Sequence, residues 1–273
     1  MNTMTIDPTV VTVGDPSRPR LLGLGNLVRK DLSEWLHGKR PWIVAAITTF
    51  VFALAAGNAR ITAWVVSSLP AEPGATPAKV VSLQPLDNVM FAIGTQFIIL
   101  AVIFATMSLL LAERESGTLA WTISKPVSRT SVLVSKWLTS TLILWVAAVV
   151  VPLAITTALV TILYGMPDPI PVIALAATLI TVPAFFVAVA LTAATFVPSQ
   201  AAVGAIGVAV FVAPQIVGGV VPALTPFFPG SIFDWAIAVS TGAPASFVTP
   251  VAWLVGLGVL FVLARKRLNA IDL

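Results

Sequence analysis

The chain has 273 residues, 58% hydrophobic and 10% charged, with a net charge of +4 and no cysteine. A soluble domain carries about 25% charged residues, so this sequence cannot cover a water-facing surface, and lipid must be its main solvent. The lack of cysteine excludes disulfides and thiolate metal sites. The positive balance sits beside apolar runs, so it reads as membrane topology and not as a nucleic-acid footprint.

Residues 1–20 place Pro8, Pro16 and Pro19 among small polar residues, with no apolar core after Met1. They read as a disordered cytoplasmic tail and not as a signal peptide. In residues 21–40, Leu24, Leu27, Val28, Leu32, Trp35 and Leu36 recur at spacings of three and four, and Arg29, Lys30, Asp31, Glu34 and Lys39 fill the other positions. That pattern predicts an amphipathic interfacial helix lying in the headgroup plane, with Trp35 and Trp42 at the membrane–water boundary. Arg29, Lys30, Glu34 and Trp35 are its candidate contacts, either as a plain anchor or as a lever against a cytosolic partner. His37, the single histidine, lacks the companions that a metal or acid–base site needs.

Residues 41–273 read as one transmembrane domain. A span needs about 20 apolar residues, and hydropathy predicts about six, near residues 41–60, 89–112, 132–163, 170–197, 201–221 and 248–264. The third is interrupted only by Lys136 and Pro152. The loop from Ser67 to Asp87 holds Pro70, Pro73, Pro77 and Pro85 and is expected to be irregular. Between the fifth and sixth spans, the apolar piece Ile232–Val239, with Asp234 and Trp235, is too short to cross and suits a re-entrant or interfacial outer segment. The expected fold is an all-α membrane protein.

Lys and Arg set the expected orientation. Arg18, Arg20, Arg29, Lys30, Lys39 and Arg40 precede the first span. Arg114, Lys125, Arg129 and Lys136 lie between the second and third, and Arg265, Lys266 and Arg267 follow the sixth. An even span count puts all of these on one side, which the positive-inside rule makes cytoplasmic, together with both termini.

No charge falls in residues 137–167 or 169–233. Proton-coupled secondary transport relies on ionisable groups within the membrane, so that class is disfavoured. No convergent polar or metal-binding groups suggest a membrane-embedded enzyme. Gln96 and Gln215 are candidate linings of a path, or polar links between helices. An oily path fits a hydrophobic or amphipathic cargo. Ala201, Ala205, Ala209 and Ala213 recur every four residues beside Gly204, a stripe that permits close helix approach.

The charged island between the second and third spans is the most specific feature. It reads Glu113-Arg114-Glu115-Ser116-Gly117-Thr118-Leu119, then Lys125-Pro126-Val127-Ser128-Arg129, then Lys136. Gly117 ends the helix leaving the second span. A short helix is predicted from Thr118 to about Ser124, with Leu119, Thr122 and Ile123 on one face, stopped by Pro126. Ser128 or Thr130 caps the next helix. Glu113 and Glu115 sit beside Arg114 and Arg129 and read as structural ion pairs, not as an acid–base dyad. No G-x-x-x-x-G-K-[ST] is present, so the chain has no phosphate cradle of its own.

At these residues the sequence resembles the permease subunits of ABC-2-type ABC transporters. The resemblance implies that the loop carries the coupling helix, which docks on a cytosolic ABC ATPase through Glu113, Arg114, Glu115, Ser116, Gly117, Thr118, Leu119, Thr122, Pro126, Ser128 and Arg129. It implies two ATPase copies holding ATP and Mg, with no cofactor, metal or enzymatic activity on this chain. It also implies a second permease copy or relative. The fifth-span alanines would lie near that interface, although packing within one subunit is equally open. The expected protein is an exporter subunit of the bacterial plasma (inner) membrane. The alternatives are a secondary transporter or a membrane scaffold that transports nothing.

Overall fold

The computed structural model describes residues 23–68, 94–118 and 127–270. Among them every regular element is helical. Six stretches are long and apolar enough to cross a membrane: Arg40–Gly57, Phe97–Glu115, Arg129–Leu163, Pro169–Phe196, Gln200–Val220 and Val248–Ala270. The all-α, six-span reading therefore stands. The tail of residues 1–20, loop residues 69–87, and Leu119, Thr122 and Pro126 lie outside the described residues.

In chain order the helices are α1 (Leu24–His37), α2 (Arg40–Ser68), α3 (Gly94–Thr106), α4 (Leu111–Glu115) and α5 (Arg129–Trp145). A π-helical turn over Val146–Val150 leads into α6 (Val151–Tyr164). Then come α7 (Pro169–Thr178), α8 (Thr181–Phe196) and α9 (Gln200–Val220). A 3-10 turn over Pro222–Phe227 precedes α10 (Ser231–Thr241) and α11 (Val248–Ala270).

The core is built around α8. Its residues from Val182 to Thr195 are all buried. The helix is apolar on every side, and a helix of that kind belongs inside a bundle. It packs against α3, α5, α9 and α11. Two hydrogen bonds to backbone carbonyls also tie α8 to its neighbours, one accepted by α8 and one donated by it. The Trp137 indole donates to Ala184 O at 2.8 Å, and the Thr192 hydroxyl donates to Leu260 O at 3.2 Å.

Three of the six spans interrupt their regular α-helix, two of them beside a proline. In the third, Pro152 has no N–H and its ring crowds the preceding turn; the π-turn just before it widens the helix and keeps α5 and α6 one continuous rod. In the fourth, Pro183 forces a turn at Leu179–Ile180. There the Ile180 N–H turns to Ala177 O, and the Trp145 indole donates to Ala176 O at 2.7 Å. In the second, the Thr106 hydroxyl donates to Val102 O at 2.7 Å, and the Leu109 N–H bonds Thr106 O. Residues 107–110 form turns there, which separate α3 from α4.

Between the fifth and sixth spans the chain forms the 3-10 turn and α10, both too short to cross. Helix α10 buries Ile232, Phe233, Ala236 and Ile237 against α7 and α11. Gly242, at φ 71°, ends it in the left-handed conformation that glycine adopts without strain.

Candidate functional site

Among the described residues, the cationic segments around Lys30, Arg114, Arg129 and Arg267 converge on one end of the bundle. The first contributor is α1, which packs along α5. The buried positions of α1 are Leu27, Asp31 and Trp35, four residues apart, so they share one face. Leu32 and Leu36 stay exposed. Helix α1 therefore has two apolar stripes, one on the protein and one facing out. The expectation that Asp31 belongs to the polar face is corrected: it is buried, because α5 brings a lysine to meet it. Trp35 reaches further in, its indole donating to the Ser140 hydroxyl at 3.1 Å.

Glu113, at the end of the second span, is the centre of this end. Its Oε1 lies 2.7 Å from Lys30 Nζ and 2.9 Å from Lys136 Nζ. Lys136 Nζ in turn lies 3.4 Å from Asp31 Oδ1. One carboxylate thus clamps α1, α4 and α5 together. The side chains of Asp31, Glu113 and Lys136 are all at least nine-tenths buried. Burial opposes the charge on Lys30. The Glu113 hydrogen bond and the charges of Glu113, Asp31 and Glu34 outweigh it and raise the pKa above 10.5. For a raised lysine the stabilising effect is full below the unfolded value and is lost only as pH climbs through the folded one.

The reading of Glu113 as a structural ion pair keeps its sense, with partners from α1 and α5. The neighbouring arginines bind helix-end carbonyls. Arg114 Nη1 donates to Ala194 O at 3.0 Å, at the end of α8. Arg129 Nη1 donates to Leu268 O at 2.5 Å, at the end of α11. A guanidinium there also complements the negative end of a helix dipole. Arg267 stacks over the Phe196 ring, 5.7 Å from its centre. These contacts tie together four helix ends and the middle of α1.

The island projects from this clamped base. Glu115, Ser116, Gly117 and Thr118 are exposed. Gly117, at φ 70°, turns the chain after α4. The hydroxyls of Ser116 and Thr118 both donate to Glu113 O at 3.3 Å, so the tip is pinned to the carboxylate residue's own backbone. On the return side, Ser128 caps α5 by accepting the Ser131 N–H at 3.0 Å. A Cβ on Gly23 would lie 2.5 Å from Val127 Cγ1, so the start of α1 presses directly on the returning loop.

The other candidates are scattered. Arg29 and Glu34 are exposed on α1. The Gln96 side chain lies outside the described residues. Gln215 lies near the opposite end, donating to Phe211 O at 3.3 Å; it borders a cavity of about 400 Å³ shared with Asp234 and Ser231. Ala201, Ala205, Ala209 and Ala213 all face outward. The opposite face of α9 packs within the chain, where Gly204 and Gly207 meet Met107 and Ile103.

Asp31, Glu34 and Glu113 each place an oxygen within 4.8 Å of the others. Glu113 already faces two ammonium groups, so the three carboxylates together are poorly disposed to hold a metal ion. The sequence did hold a signal for the network: Asp31 is spaced with Leu27 and Trp35, and Lys136 is a lone charge inside an apolar run. Such a charge needs a partner.

Residues 25–263 match a family model described as ABC-2 family transporter protein. The match runs from the first turn of α1 into α11 and takes in Lys30, Asp31, Glu113 and Lys136. No curated protein matches the chain.

Proposed function

The chain belongs to the ABC-2 transporter family, and we propose that it is the membrane permease subunit of an ATP-driven exporter, powered by a separate cytosolic ATPase. The observation that carries this reading is the Glu113 clamp. It sits at the base of the exposed tip Glu115–Thr118 and joins the ends of the second span, the third span and α1. A push on the tip is then delivered to three helices as one body. Through Arg114 and Arg129 it also reaches the ends of α8 and α11.

In this reading the basic end is cytoplasmic and the membrane is the bacterial plasma membrane. Two ATPase copies hold ATP and Mg and grip residues 113–129. A second permease subunit, a copy or a relative, meets the outward alanines of α9. The cargo is hydrophobic or amphipathic. Among the described residues the buried charges are Asp31, Glu113 and Lys136, all at the basic end, which favours an external energy source over coupling to ions within the membrane.

Gly117→Val supplies the test. A β-branched residue resists positive φ, so the tip is distorted while the clamp remains. The purified complex is expected to contain an ATPase, and the variant to lose most of its transport-coupled ATP hydrolysis while keeping its thermal midpoint. A complex purified without any ATPase, or a variant that hydrolyses and transports as the wild type does, would sink the proposal.

A further inference from the structure

We propose that the basic end binds a zwitterionic aminophospholipid, with its headgroup in a pocket beneath α1 and one acyl chain in a groove between α2 and α3. The pocket has a volume of about 380 Å³ and is lined by Asp31, Glu34, Lys39, Arg40, Lys136 and Ser140 among others. The Asp31 side chain is 5% exposed. Its Oδ1 faces Lys136, but its Oδ2 is buried without a hydrogen-bond partner among the described residues. An unmet buried carboxylate oxygen is costly, and this one borders a cavity. It calls for a donor, and an ammonium group is the strongest one a lipid carries. Lys39 and Arg40 line the same pocket and supply the opposite charge for a phosphate.

The second observation is the groove. It holds about 450 Å³ and is walled by Ile43, Ile47, Phe97, Leu100 and Phe104. Arg40 and Ser108 line both the pocket and the groove, so the polar cavity opens into the apolar one at those two residues. From Ser108 to Phe97 the second span rises about 16 Å, at about 1.5 Å per residue. That is close to half of the roughly 30 Å hydrocarbon core. A polar pocket of both charge signs, continuous with an apolar trough one leaflet deep, has the shape of a phospholipid. Inorganic phosphate has no use for the trough. A lipid with only negative charge leaves Asp31 Oδ2 unmet and places its charge beside Asp31 and Glu34. A second copy of the chain could cover the trough but would not bring a donor to Asp31.

The test is lipid retention by the whole purified complex. It is reconstituted with equal phosphatidylethanolamine and phosphatidylglycerol, stripped with mild detergent, and its bound lipids are counted by mass spectrometry. Ethanolamine lipid is expected to be retained about tenfold over glycerol lipid, the ratio one charge-assisted hydrogen bond carries. Asp31→Asn should bring that ratio near one. Arg40→Gln should lower retention of both lipids. Ile47→Trp fills the trough and leaves the Asp31–Lys136 pair intact, so it tests the site even if Asp31→Asn unfolds; it should lower retention with an unchanged thermal midpoint. Equal retention of the two lipids by the wild type, or full retention by Ile47→Trp, overturns the proposal. Ile47→Cys crosslinking to a second copy would make the trough a subunit seam and overturn it as well.

Discussion

The two ends of the bundle solve the same problem differently. Both place an acidic residue against apolar surroundings. At the basic end Glu113 is nearly sealed and held by two lysines from separate helices. At the far end Asp234 keeps one side open to solvent while apolar residues crowd the other, and this partial burial raises its pKa above 3.8. The basic end is joined by charge and by hydrogen bonds between distant residues. The far end is joined by the apolar face of α10. Sealed charges must keep fixed partners, so they lock helix ends in register. Apolar contacts tolerate sliding. The contrast predicts that the basic end moves as one block and that the far end gives way first.

Breaking the clamp is expected to give the largest effect. Glu113→Ala leaves Lys136 buried with only Asp31, 3.4 Å away. Removing one partner of a buried pair costs about 3–5 kcal/mol. The thermal midpoint, followed by tryptophan fluorescence in detergent, should fall well below that of an Asp234→Ala control. Equal losses at the two ends would erase the contrast drawn between them.

A smaller effect sharpens the same picture. Trp35→Phe keeps the ring on α5 but removes the donor to Ser140, worth about 1 kcal/mol. Because Trp35 and Asp31 share one helix face, the loss should be less than additive when Trp35→Phe is combined with Glu113→Ala. Strict additivity in a double-mutant cycle would mean that α1 and the second span are not one block.

The smallest expected change is at Asp234, and pH exposes it. A raised acid pKa stabilises the fold fully below the unfolded value, and that contribution is lost as pH rises through the folded value. Asp234→Asn carries no charge at any pH. It should therefore be slightly more stable than the wild type at neutral pH and match it in strong acid. A variant less stable than the wild type at neutral pH would mean that the Asp234 charge is wanted there.

Several parts of this architecture are legible in the residues alone. Composition made lipid the solvent. The length of the apolar runs set the number of spans, because helices are the only economical way for an isolated segment to cross hydrocarbon. Gly117 and Ser128 marked the end of one helix and the start of the next, since both act through their own neighbouring backbone. Pro152 was legible as a position but not as an outcome, since a π-turn absorbs it, and the turn before Pro183 was not foreseen. Hydropathy has no term for either.

What the one-dimensional chain could not decide is which distant groups meet. Lys30 and Glu113 are 83 residues apart, and Asp31 and Lys136 are 105 apart. Periodicity put Asp31 on the wet side of α1 because it scores each residue by its own polarity. Only the packing of α1 on α5 turned it inward, where a lysine made burial tolerable. The alanine stripe of α9 was legible as a close-packing surface, but only the tertiary structure gave the inner face to Gly204 and Gly207 and left the alanines outside. Local chemistry fixes where helices begin, end and cross, while the choice of partner for each buried charge depends on distances that exist only once the helices are assembled.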